Sequence, residues 1–256
     1  MPLAQETQSF RYGEAPNAVM DVYPTKNEKS PIVAFVHGGG WSSGSRKWVQ
    51  IKPRFFNQLG YTFVSIGYPY LPEANVEQQI SAIERAIKWL KLNAGKFSGD
   101  ADSLTLSGHS SGAHLAVVTA LKLGPRYVQN VIAIDSPMYD LRPLLTMPRR
   151  GVTTFFKRIF GQSEAELKQK SAHQFIENHK TYASYLFAYS NQNFDGWIIN
   201  NVENFANDLR RSGAADVTIF RGLDYDHLGL HRKIGEENDR FTEAIRDFLQ
   251  SRTTLE

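Results

Sequence analysis

No cysteine occurs anywhere in this 256-residue chain, which excludes disulfides, thiolate zinc sites and a thiol nucleophile. No run approaches the ~20 consecutive apolar residues of a membrane-crossing helix, so a membrane partner is not expected. The first residues, Met1-Pro2-Leu3-Ala4-Gln5-Glu6-Thr7, lack the basic start and apolar centre of a secretory leader, and a cytoplasmic location is the default expectation. Net charge is only +3, with Lys and Arg spread along the chain rather than gathered into the basic stripe of a nucleic-acid binder. There is no P-loop and no dinucleotide fingerprint, and no His pair shows metal-ligand spacing with supporting carboxylates. No cofactor or metal is therefore implied. A small molecule is the expected partner, bound by a monomer or homodimer.

What is present is an ordinary globular composition, 41% hydrophobic and 21% charged, in a chain long enough for one sizeable core. Short apolar runs at 19–24, 31–37, 62–68, 104–109, 131–136, 185–190 and 217–221 are rich in Val, Ile, Phe and Tyr. They lack strict polar alternation, as strands buried on both faces do. Helical stripes lie between them: Val76, Ile80, Ile83, Ile87 and Leu90; Ala113 to Val118; Val202, Phe205, Ala206 and Leu209; Phe241, Ile245 and Phe248. Such alternation predicts a single α/β domain over 1–256, a doubly wound and mostly parallel sheet with right-handed crossovers. The segment between Ser136 and Tyr185 is longer than one crossover needs. Pro143 and Pro148 interrupt it, and Phe155, Phe156, Ile159 and Phe160 make it aromatic. A compact, mostly helical cap around 140–180 is expected there. Its cations, Arg142, Arg149, Arg150, Lys157, Arg158, Lys168 and Lys170, could attract anionic substrates, but a solvated surface is the favoured reading.

Two glycine-rich runs carry chemistry. Gly108-His109-Ser110-Ser111-Gly112 follows one strand pattern and opens a helical one. That is the G-x-S-x-G turn, which lifts a serine oxygen above the sheet edge at a helix N-terminus. His37-Gly38-Gly39-Gly40-Trp41 follows another strand and can aim main-chain amides at an oxygen that turns negative during attack. Both lie where active sites collect, at the carboxyl ends of parallel strands. Either run alone is weak evidence. Together, in this order, they point to acyl transfer on an acyl substrate, with Ser110 as nucleophile and the Ser111 amide as one oxyanion donor. A serine that merely caps the next helix is the bland alternative.

These runs, with Tyr12-Gly13, Met20-Asp21-Val22-Tyr23-Pro24 and Tyr139-Asp140-Leu141-Arg142-Pro143-Leu144, resemble the α/β-hydrolases. The likeness is to the hormone-sensitive-lipase-like esterases and the arylformamidase (kynurenine formamidase) group. It implies a serine hydrolase of carboxylesterase type acting on short acyl esters without a cofactor. Alternatives are an arylformamidase acting on N-formylkynurenine-like amides, and a hydrolase-fold binding protein that has lost catalysis. Carried over, the H-G-G-x loop implies Gly39 and Gly40 as the other oxyanion donors, and Trp41 is a wall of the acyl pocket or a core residue. Two departures weaken any transfer of substrate: Gly67-Tyr68-Pro69 replaces a Tyr-Arg pair, and Glu77-Gln78-Gln79 lacks an aspartate.

The fold presents nucleophile, acid and histidine in chain order. Of seven histidines, His37 belongs to the oxyanion loop, and His109 and His114 read as packing residues. His173 and His179 sit in the cap without a motif, and His231 lies too far along. His227, after the last strand, is the expected base. The acid should follow the strand at 185–190, where Asp195 is the first carboxylate. Asp135, at the end of the strand before the cap, is its rival.

Overall fold

In a computed structural model the described residues are 6–147, 150–178, 183–191, 196–214 and 216–253. Eight strands form one sheet: β1 (Gln8–Arg11), β2 (Val19–Tyr23), β3 (Ser30–Val36), β4 (Thr62–Ile66), β5 (Gly99–His109), β6 (Asn130–Ile134), β7 (Ser184–Ser190) and β8 (Val217–Gly222). Their order across the sheet is β1-β2-β4-β3-β5-β6-β7-β8. β1 pairs antiparallel with β2, and β2 with β4, while every pair from β4 to β8 is parallel. This is the α/β-hydrolase fold the sequence predicted. All seven expected strands form, and the addition is β1, a half-exposed edge ribbon.

Strand side chains alternate between two apolar cores. Ile32, Ala34 and Val36 of β3 face one, with α2 (Val76–Asn93), α3 (Ser111–Leu123) and α6 (Trp197–Arg211). Val33 and Phe35 face the other, with α1 (Lys52–Gln58) and α8 (Arg240–Thr253). α2 starts where a capping box allows: the Asn75 side chain accepts from Gln78 N while Gln78 Oε1 accepts from Asn75 N, satisfying two helix-end donors. α3 is different. Every residue from Ser111 to Leu121 is buried, because the sheet lies beneath it and other helices flank it, so no polar stripe develops.

Between β6 and β7 lie α4 (Arg150–Phe160), α5 (Glu164–Lys170) and two 3-10 turns, the helical content expected of a cap. Its anchor is aromatic. Trp41 meets Phe160 edge-on at 4.8 Å and His114 at 5.8 Å, and His114 Nε2 donates to Lys170 O at 3.0 Å. Two of its cations serve local structure: Arg142 holds Asp140 in a forked pair, and Lys170 Nζ donates to Phe160 O at the end of α4.

α1 opens on a residue that should not be comfortable there. Lys52 is fully buried. Its ammonium donates to Gln50 Oε1 at 2.9 Å and stands 5.5 Å from the Phe35 ring centre, and no carboxylate pairs with it among the described residues. Burial pushes its pKa from the ordinary 10.5 to about 7. Between those values the unfolded chain binds the extra proton, so stability rises with pH across that window. Below it the cost of burying the charge is fully present. Lys52→Met should therefore raise the melting temperature at pH 6 by several degrees, with the advantage shrinking as pH approaches 10. A melting-temperature series against pH checks this, and a constant offset would show that the buried ammonium is not the cause.

Candidate active site

The turn between β5 and α3 is forced by close packing. A Cβ on Gly108 would lie 2.3 Å from Gly112 O, and one on Gly112 would lie 2.2 Å from Val36 O. Neither is tolerable, so both positions require glycine. Between them Ser110 takes φ 54°, ψ −124°, a region costly for a non-glycine residue. Its amide donates to Ile134 O at 2.8 Å, pinning the strained residue to β6.

The loop after β3 is held on all sides. Gly39 has φ 140°, and a Cβ there would lie 2.0 Å from Ser43 O. Tyr68 OH donates to His37 O at 2.9 Å, Tyr70 OH donates to Gly44 O at 2.8 Å, and Gln79 Nε2 donates to Trp41 O at 2.8 Å. The departures Gly67-Tyr68-Pro69 and Gln79 thus brace this loop, a role not visible in the sequence. His37 stacks on Tyr68 at 4.6 Å. Burial pushes its pKa down to about 4, so it stays neutral and serves as a strut. Among the described residues' hydrogen bonds, none is donated by the amides of Gly39, Gly40 or Ser111.

His227 opens α7 (His227–Arg232), whose N-cap Asp226 accepts from Gly229 N. Its Nδ1 lies 2.8 Å from Asp135 Oδ2. Asp135 is buried at the end of β6, and its Oδ1 accepts from Ser190 N at 2.9 Å. The carboxylate on the imidazole is therefore Asp135, where Asp195 was expected. Asp195 and His179 lie outside the described residues. The physical reason is the fixed perch of Asp135, which is tied through its own amide to Ala188 O at 2.8 Å. A carboxylate so held faces the loop after β8 and meets the His227 ring there. His173 pairs instead with Asp208 at 2.9 Å.

Ser110 and His227 border two cavities. One, of 390 Å³, runs between Gly38–Gly40 and His227 to Trp48, Leu228 and Arg232. The other, of 140 Å³, lies under the cap between Gly40, Trp41, Ser111, Phe156 and Asp135. Trp41 is both things the sequence allowed, a 3% exposed core residue and a wall of the smaller cavity. The expected residues Ser110, Ser111, Gly39, Gly40, Trp41 and His227 thus gather at one place. A serine beside an imidazole that is oriented by a buried carboxylate is an arrangement suited to nucleophilic attack.

Sheet order, elbow and crossovers together define the α/β-hydrolase fold. The signature of the BD-FAE family matches residues 20–141, spanning the glycine loop after β3 and the elbow. Over 120 residues the chain is 31% identical to a probable isoprenylcysteine alpha-carbonyl methylesterase of Oryza sativa, covering 46% of this chain and 29% of that protein. It is 31% identical over 153 residues to kynurenine formamidase of Salmo salar, covering 56% and 50%. The chain thus spans half or less of the length of these curated relatives. In fold it resembles the esterase Est2 of Thermogutta terrifontis, with TM-score 0.75 at 18% identity over 96% of this chain and 92% of that one.

If Asp135 orients His227, Asp135→Asn should lower kcat for p-nitrophenyl acetate by roughly 10³–10⁴-fold by favouring the wrong imidazole tautomer, while Asp195→Asn stays within about twofold. Steady-state kinetics of the two variants decides between the carboxylates, and the reverse ranking would restore Asp195.

Proposed function

We propose that the protein is a serine carboxylesterase that cleaves short acyl esters without a cofactor. Ser110 Oγ passes its proton to His227 Nε2 and attacks the ester carbonyl. The oxygen that becomes negative is received by the amides of Gly39, Gly40 and Ser111, each such donor being worth roughly 3–4 kcal/mol in the transition state. His227 then protonates the departing alcohol, and water repeats the sequence on the acyl-serine. Asp135 keeps the imidazole in the Nδ1–H form and stabilises it when charged. The observation that carries this reading is the His227–Asp135 bond at 2.8 Å beside a strained serine in an elbow of required glycines. The relatives named as a methylesterase and a formamidase are consistent with it, both names describing hydrolysis at a carbonyl.

Substrate size follows from the cavities. The smaller one, 140 Å³ and lined by Trp41, Phe155 and Phe156, suits a short acyl group. The larger, 390 Å³ and extending to Trp48 and Leu228, suits the leaving group. Acetyl to butyryl p-nitrophenyl esters should show the highest kcat/KM, declining beyond about eight carbons as further methylenes stop gaining burial. Trp41→Ala should move the optimum toward longer chains, and Ser110→Ala should abolish turnover. A formamidase would differ: N-formylkynurenine would be preferred over every short ester, and that result would replace the esterase reading. A wild type inert on esters and formamides alike would leave a binding protein.

A further inference from the structure

The residue before the nucleophile is itself tied to the base. His109 ends β5, is 4% exposed, and donates from Nε2 to the main-chain oxygen of His227 at 2.9 Å. Its ring also packs on that of His227, with centres 4.6 Å apart and planes tilted by 39°. His231 lies on His109 at 4.5 Å and 13°, and His231 in turn lies on Phe35 of β3 at 5.4 Å and 5°. His227 and His231 are one turn apart on α7, so both rings of that helix grip a single imidazole from the elbow strand. The oxyanion loop closes on it too, since a Cβ on Gly38 would lie 3.1 Å from His109 Nδ1.

We propose that His109 is a positioning residue for His227, fixing the base relative to Ser110 by a hydrogen bond to its main chain and by ring contact. This rests on the serine hydrolase reading above. Asp135 restrains only Nδ1 of His227, and α7 is only six residues long, its second residue, Leu228, being 45% exposed. Without a second restraint, the imidazole can swing about its bond to Asp135. His109 supplies that restraint from the strand that carries the nucleophile, so base and nucleophile move together. The ring must also stay uncharged beside a histidine that becomes cationic during the reaction. Burial, then the neighbouring His227, holds the His109 pKa well below its ordinary value. The restraint rests chiefly on the donor, with the ring as a second contact, which explains a histidine where the turn itself asks only for a side chain of any kind.

Three variants separate the donor from the ring: His109→Gln keeps an N–H within reach, His109→Phe keeps a ring, and His109→Met keeps neither. The reaction is p-nitrophenyl acetate hydrolysis, read as kcat and KM separately and accompanied by the downfield proton resonance of His227 Nδ1–H. The expected result is a fall in kcat of roughly 10–100-fold for Phe and Met, the scale of a small misplacement of catalytic groups. KM should stay within about twofold, and the resonance should broaden or vanish. His109→Gln should recover kcat to within about fivefold of wild type and restore the resonance. A merely structural role would lower the folded fraction and leave the remaining active enzyme with an unaltered resonance. The proposal is overturned if Phe or Met retains wild-type kcat, or if Gln loses as much as Met. An active wild type with either result leaves the hydrolase reading standing, whereas a wild type without turnover removes both.

Discussion

The rest of the site depends on one steric constraint: β5 and α3 meet so closely that main chain occupies the space of two missing side chains. Gly108 abuts Gly112, and Gly112 abuts Val36 of the neighbouring strand. Ser110 is thereby driven to positive φ, a strain of order 1–3 kcal/mol that survives only because the surroundings over-determine it. The restraints are its bond to Ile134 and a following helix buried along nearly its whole length. The same contact seats the Ser111 amide at the start of α3, where the helix dipole favours negative charge. Position, strain and field at the serine have a single origin.

A second constraint is electrostatic. Five histidines surround the elbow, and four are kept neutral: burial pushes His37 and His114 down to about 4 and lowers His109 and His231 as well. Of the five, only His227 combines a carboxylate on Nδ1 with a side chain 31% exposed. The neutral rings act as scaffolding, linking the glycine loop after β3 through His37, the helices between β6 and β7 through His114, and His227 through His109. Residues that the sequence suggested were packing histidines are indeed packed, and they join separate segments to the elbow.

The two glycine runs, seven strands and the main helices were legible because each rests on a local rule: close approach, buried β-branched runs, or a periodic stripe. β1 was missed because Gln8-Ser9-Phe10-Arg11 alternates between half-buried and exposed positions at a sheet edge, leaving little apolar signal. α1 is only seven residues long and begins Lys-Pro. The carboxylate on the imidazole was not legible for a different reason. Asp195 follows the strand where the resemblance places the acid, and spacing along the chain cannot tell that Asp135, across β7, is the carboxylate turned toward His227. His231 was set aside as too distant in sequence, yet it stacks on His109, the ring that also meets His227, because α7 starts at His227. Contacts between separate loops were the part the sequence could not show.

The central claim is that Ser110, the amides of Gly39, Gly40 and Ser111, and the small capped cavity form one acyl-transfer site. A crystal structure of the protein after reaction with a small alkyl fluorophosphonate tests it most directly, since the adduct mimics the tetrahedral intermediate. The account predicts phosphorus on Ser110 Oγ and the phosphoryl oxygen within hydrogen-bond distance of the three amides. The alkyl group should lie between Trp41 and Phe156. Phosphorus bonded elsewhere, or a phosphoryl oxygen turned away from these amides toward solvent, would contradict it.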